Sequence, residues 1–141
     1  MKISQLSIFL ENHAGVINEV ISILGEKSIN MRAFSVADGV EFGILRLIVS
    51  DVDSALKALS EAGYKVNLTD VIGINTPNDP GALMTVMECL AREDVFIQYM
   101  YAFSEGDVAS TIFKPTDIDR CIEILERSRD ELKSKSPLYK L

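Results

Sequence analysis

The chain has 141 residues, 48% of them hydrophobic and 25% charged, and a formal net charge of −7. This composition is ordinary for a globular protein and sufficient for a core. An acidic surface repels phosphate, which argues against nucleic acid or a membrane surface as partner, and no run of Lys or Arg offers a local exception.

The first residues, Met1 to Gln5, lack the apolar core and small-residue cleavage site of a signal peptide. No apolar run approaches the roughly 18 residues that span a bilayer. A cytoplasmic location is therefore expected.

Taken in chain order, Leu6, Ile8 and Leu10 alternate with Gln5, Ser7 and Phe9, the period of a strand. Gly15 opens a helical run in which Val16, Val20, Ile23 and Leu24, joined by Ile17 and Ile21, form a broad apolar stripe. Residues 29–36 read as a second strand. Asp38-Gly39 supplies a hairpin turn through the freedom of Gly to take positive φ, and Phe42 to Val49 forms the third strand. Ser50 with Asp53 three residues on has capping-box spacing. Val52, Ala55, Leu56 and Leu59 then share one helical face. Gly63 suits the position past the helix end, and residues 64–69 make a fourth strand.

The pattern then repeats. Asn12-His13-Ala14-Gly15 aligns with Asn78-Asp79-Pro80-Gly81 at an offset of 66 residues. The offset carries Val20 to Val86, Leu24 to Leu90 and residues 29–31 to 95–97. One residue of adjustment at the hairpin matches Gly39 with Gly106. Ser50-Asp51-Val52-Asp53 then meets Thr116-Asp117-Ile118-Asp119, and Leu59 meets Leu125. No Pro- or Gly-rich linker separates the copies, which are expected at residues 1–69 and 70–141. Each reads as βαββαβ, so the fold class is α+β: two ferredoxin-like repeats, each an antiparallel sheet with helices on one face. The second copy has no glycine matching Gly63, and residues 126–134 are charged and helix-compatible. Its last helix should run longer, leaving only residues 137–141 for a weak final strand.

The second face of the sheets is largely apolar as well. Ile44 and Ile48 flank Arg46, and Tyr99, Tyr101 and Phe103 share one strand face while Phe96 and Met100 share the other. A sheet solvated on one side alternates more cleanly. That face is expected to pack on another sheet, with its aromatic stripe as core.

Catalytic chemistry is hard to assemble from these residues. His13 is the only histidine, with no nucleophile beside it in sequence. Asp51/Asp53 and Asp117/Asp119 recur at helix starts, where capping and the helix dipole account for them. Cys89 and Cys121 fall within apolar helical patterns and read as buried thiols, too few for a zinc motif. No phosphate-binding glycine loop is present. Neither an enzyme nor a metal or cofactor site is expected.

Two segments carry a family resemblance. Glu11-Asn12-His13-Ala14-Gly15-Val16 followed by Ser28-Ile29-Asn30-Met31 resembles the start of an ACT domain. Asn78-Asp79-Pro80-Gly81-Ala82-Leu83 followed by Asp94-Val95-Phe96-Ile97 resembles it again. The first copy has Ala14 where the family usually has Pro, and the second has Phe96 where it has Asn. The resemblance covers nearly the whole chain as a tandem pair. It implies a non-catalytic regulatory sensor of amino-acid metabolism that binds a free L-amino acid at the seam between ACT domains, and homodimerisation. It also leaves open a regulatory subunit docked on a separate biosynthetic enzyme, like the small subunit of acetolactate synthase, or an interaction module without ligand.

The implied ligand residues are Asn12, His13, Ala14, Gly15, Val16, Asn30 and Met31 in the first copy. In the second they are Asn78, Asp79, Pro80, Gly81, Ala82 and Phe96. A helix N-terminus presents unpaired N–H groups and partial positive charge, which suits an α-carboxylate. Gly15 and Gly81 would admit close approach, and the Asn side chains would meet the ammonium or carboxylate. Asn, Asp and Gly also suit plain capping and turn formation at these positions.

Overall fold

The computed structural model describes residues 1–141. The elements run β1 (Lys2–Glu11), α1 (Val16–Glu26), β2 (Met31–Ala37), β3 (Phe42–Val49), α2 (Val52–Glu61), β4 (Lys65–Pro77), α3 (Ala82–Ala91), β5 (Ile97–Glu105), β6 (Val108–Pro115) and α4 (Ile118–Lys135). They fall into two compact units: Ser4–Thr69, and Asp70–Leu141 together with Met1–Ile3. These are called the N-terminal and C-terminal units below. No helix is long and apolar enough to cross a membrane.

In the N-terminal unit the strand order is β2-β3-β1-β4, with β2 on β3 and β3 on β1 antiparallel. The βαββαβ reading therefore holds. Leu6, Ile8 and Leu10 of β1 and Leu45, Leu47 and Val49 of β3 pack against Val16, Val20 and Leu24 of α1 and Ala55 and Leu59 of α2. The apolar stripe of α1 is narrower than its sequence suggests, because Ile17 and Ile21 lie outside it and are exposed. At the hairpin, Gly39 is not in the left-handed region. It is required for space instead, since a Cβ there would collide with the carbonyl of Phe42.

The start of α2 also differs from the capping-box expectation. The cap is Asp51, whose Oδ1 accepts from the Ser54 N–H at 3.0 Å. Ser50 instead ties β3 to the start of β2: its hydroxyl accepts from the Asn30 N–H, and its N–H donates to the Asn30 carbonyl. In α4, Asp117 caps in the same way, accepting from the Arg120 N–H at 3.0 Å. Gly63 follows α2 with φ +88°.

In the C-terminal unit the order is β4-β6-β5, again antiparallel. Ile72 and Ile74 of β4 and Phe113 of β6 pack under Val86 and Leu90 of α3 and Cys121, Ile124, Leu125 and Leu132 of α4. As expected, α4 is long, with 18 residues. The expected last strand over residues 137–141 reduces to one bridge, in which Lys140 exchanges two backbone hydrogen bonds with Asn75. The N–H of Gly73, two residues away, donates to the carbonyl of Met1. Two short pieces, Met1–Ile3 and Lys140, thus supply partners along β4.

The four-residue step that ends each first helix is duplicated as well. Ser28 and Asp94, one offset apart, take positive φ of 57° and 56°. The following N–H then bonds back to the helix, from Ile29 to Leu24 and from Val95 to Leu90. Asp tolerates this conformation better than most residues. On the face away from the helices, Ile48 and Ile112 are buried, so that face is not simply solvated.

Candidate functional site

Each unit begins its first helix from a loop led by Asn. The two loops match in detail. Gly15 and Gly81 stand at the N-caps of α1 and α3 with φ +87° and +85°, a conformation that Gly alone adopts without strain. Neither helix has a side-chain cap, in contrast to α2 and α4 with their Asp caps.

The loop asparagines face the hairpin. Asn12 donates from Nδ2 to the carbonyl of Gly39 at 2.7 Å and reaches that of Val40 at 3.3 Å, while its N–H bonds to Glu41. Asn78 donates from Nδ2 to Gly106 at 3.0 Å and from its N–H to Asp107. Both amide groups therefore lock loop to hairpin, and each still offers an Oδ1 acceptor. His13 is exposed, with Nδ1 3.2 Å from the Ala14 carbonyl. Ala14 and Gly15 are exposed too, whereas Val16 is buried in the core.

Asn30 is exposed, and it bonds to Ser50 through its main-chain N–H and carbonyl. Met31 is half-buried against the N-terminal core. In the C-terminal unit Asn78, Asp79, Pro80 and Gly81 are exposed, Ala82 is buried and Phe96 is largely exposed at 66%.

A cleft lies beside each loop. That of the N-terminal unit has a volume of about 330 Å³ and is lined by Phe9, Glu11, His13, Val16, Glu19, Phe42, Gly63, Tyr64 and Lys65. That of the C-terminal unit, about 370 Å³, is lined by Pro77, Asp79, Pro80, Gly81, Ala82, Met84, Thr85, Lys135, Ser136 and Tyr139. Glu11, His13, Val16 and Glu19 correspond by the same offset to Pro77, Asp79, Ala82 and Thr85. The structure therefore gathers His13 with Val16, and Asp79 with Pro80, Gly81 and Ala82. It leaves Asn12, Ala14, Gly15, Asn30, Met31, Asn78 and Phe96 off these walls.

Several cleft residues escaped the sequence reading. Tyr64 donates to Glu19 Oε2 at 2.7 Å, and this bond with partial burial pushes its hydroxyl up to about 12. Tyr139 makes the counterpart contact, donating to the Ala82 carbonyl at 3.2 Å. The two tyrosines do not align by the offset, because α4 is longer than α2, so no repeat comparison would pair them. Outside the clefts, burial pushes the Cys121 thiol up to about 11, as suits an inert core thiol.

A family model described as an ACT domain pair matches residues 1–140. No curated protein matches. Among solved structures, protein BT0572 from Bacteroides thetaiotaomicron is 48% identical over 92% of this chain and 90% of its own, with a TM-score of 0.89. The regulatory subunit of aspartate kinase from Thermus thermophilus has a TM-score of 0.66 at 14% identity, covering 88% of this chain and 90% of its own. The corresponding subunit from Thermus flavus has 0.60 at 15%, covering 89% and 91%.

Proposed function

Because this chain belongs to the ACT domain pair family, we propose that it is a non-catalytic regulatory protein that senses a free amino acid. A regulatory role also accords with the fold it shares with the two aspartate kinase regulatory subunits. The ligand's carboxylate is assigned to the N-terminus of α1, with Gly15 giving close approach; Asn30, at the opposite end of α1 beside Ser50, is assigned to a ligand held by the loop of another ACT domain. The junction at Gly81 is a second candidate. The seam between ACT domains is the place that family likeness proposes for the ligand.

One observation carries this reading. Of the four helices, α2 and α4 start with an Asp that accepts from the first turn, while α1 and α3 start with Gly and have no side-chain cap. Backbone N–H groups at such a start, with the partial positive charge of the helix, suit a carboxylate.

The test is a thermal-shift screen of the full chain against the twenty amino acids, with calorimetry on each hit. A ligand of the native state alone adds about 2.7 kcal/mol at a hundredfold excess over Kd. Asn30→Ala is the better diagnostic variant, because Asn12→Ala would also release the hairpin. A shift with one or a few amino acids that Asn30→Ala abolishes supports the sensor. The absence of any shift would sink it.

A second reading has its own observation. β2 and β5 are sheet edges, and Phe34 and Val36 on β2 and Met100 and Phe103 on β5 are exposed. Apolar edge strands invite pairing with another chain. A homodimer is the partner proposed first and a separate biosynthetic enzyme the second. Sedimentation of the pure protein distinguishes them from a monomer, and co-purification of a larger protein would favour the enzyme.

A further inference from the structure

The two clefts occupy matching positions but differ in chemistry. In the C-terminal unit three of the polar groups are already engaged: Thr85 donates to the Gly81 carbonyl, Tyr139 to that of Ala82, and Lys135 pairs with Glu131. In the N-terminal unit, Pro77 and Thr85 are replaced by Glu11 and Glu19, and Asn75 by Phe9. Neither Glu11 nor Lys65 takes part in any of the ion pairs.

The rings in this cleft are open. Phe9 is 37% and Phe42 52% exposed. Phe42 lies directly across the ladder from Glu11, and Phe9 is two residues along the same face of β1. One ring already holds a cation, with Lys65 Nζ 5.2 Å from the Phe9 centroid. An aromatic face attracts an ammonium group, and more strongly when water is excluded. A carboxylate beside it adds a charge-assisted hydrogen bond.

We propose that the cleft of the N-terminal unit binds a small organic ammonium ligand, with its charged group between Glu11 and the faces of Phe9 and Phe42. The Lys65 ammonium is the intramolecular occupant that the ligand displaces. Tyr64 acts as a positioning residue that fixes Glu19 on the opposite wall. The ligand needs no carboxylate, so this inference goes beyond the amino-acid reading and stands without it.

The experiment titrates the full chain with phenethylamine, and separately with 3-phenylpropionate as the anion of similar shape, followed by NMR. The amine is expected to bind and the acid not. Glu11→Gln and Phe9→Leu should each weaken the amine about tenfold. Lys65→Met should tighten it by a few fold, because a competing cation is removed. Thr85→Ala in the other cleft should leave it unchanged. Unchanged circular dichroism and Tm separate loss of binding from loss of fold.

Binding of the acid in place of the amine, or weakening by Lys65→Met, would make this an anion site and overturn the proposal. So would no amine binding at all, or binding indifferent to both Glu11→Gln and Phe9→Leu. An amino acid whose binding depends on Asn30, with no binding of the amine, would overturn this inference and leave the sensor standing. Amine binding without any amino-acid binding would do the reverse.

Discussion

Tyr64 joins the start of β4 to α1 through a single 2.7 Å bond to Glu19. Removing a hydroxyl with one such partner costs about 1 kcal/mol, so Tyr64→Phe should lower stability by that amount in chemical denaturation. The bond also sets a pH dependence. The folded hydroxyl is raised to about 12 from an ordinary 10. The protonated form is therefore the one that folding favours. Its contribution is complete below pH 10 and is lost as the pH rises from 10 through 12. The wild type should lose stability over that alkaline window more steeply than Tyr64→Phe; equal slopes would deny the bond its role. At the same scale, Asn12 and Asn78 show where reading from sequence stops. Their types suited either a ligand or a turn, and the structure turns both amide groups onto hairpin carbonyls 27 and 28 residues away. A partner that distant is set by the fold, which no local pattern records.

Among the elements, the helix starts separate two designs. Asp117→Ala removes the acceptor for the Arg120 N–H and should cost about 1 kcal/mol, whereas Thr116→Ala should cost less. Near-equal losses in urea midpoints would show that Asp117 is not the cap. The same acceptor role holds the Asp51 carboxyl below its ordinary value through the Ser54 N–H, so that cap is intact above pH 3.8 and fails as acid protonates it. Strand and helix existence was legible because each carries its own periodicity, and the offset made every element count twice. Boundaries and caps were less so: Ser50-Asp51-Val52-Asp53 offers two residues able to cap, and only tertiary position assigns Ser50 to Asn30 and Asp51 to α2. The final strand eluded pattern because one bridging residue, Lys140, has no periodicity to read.

At the scale of the molecule there are two apolar clusters, one per unit, each closed by a leucine at matching positions. Leu59 and Leu125 are both fully buried. Truncating either to Ala should cost about 2–5 kcal/mol, since a cavity adds to the lost burial. Hydrogen exchange should show the first loss of protection in the unit that carries the change. Loss spread evenly from either site would show that the clusters do not act as separate cores.

The hydrogen bond from Gly73 to Met1 bears on how the chain comes together. The C-terminal unit is discontinuous in sequence, since Met1–Ile3 belongs to it and Ser4–Thr69 does not. Its first three residues leave the ribosome about 70 residues ahead of the strand they lie against. They must wait while the whole intervening unit is made. If that unit stays unfolded, the closing loop is long and flexible, with the entropy that such a loop carries. If it folds first, the two ends of that loop are drawn together before Gly73 searches for its partner. Vectorial synthesis thus favours an order of events that the finished fold, taken alone, would not require.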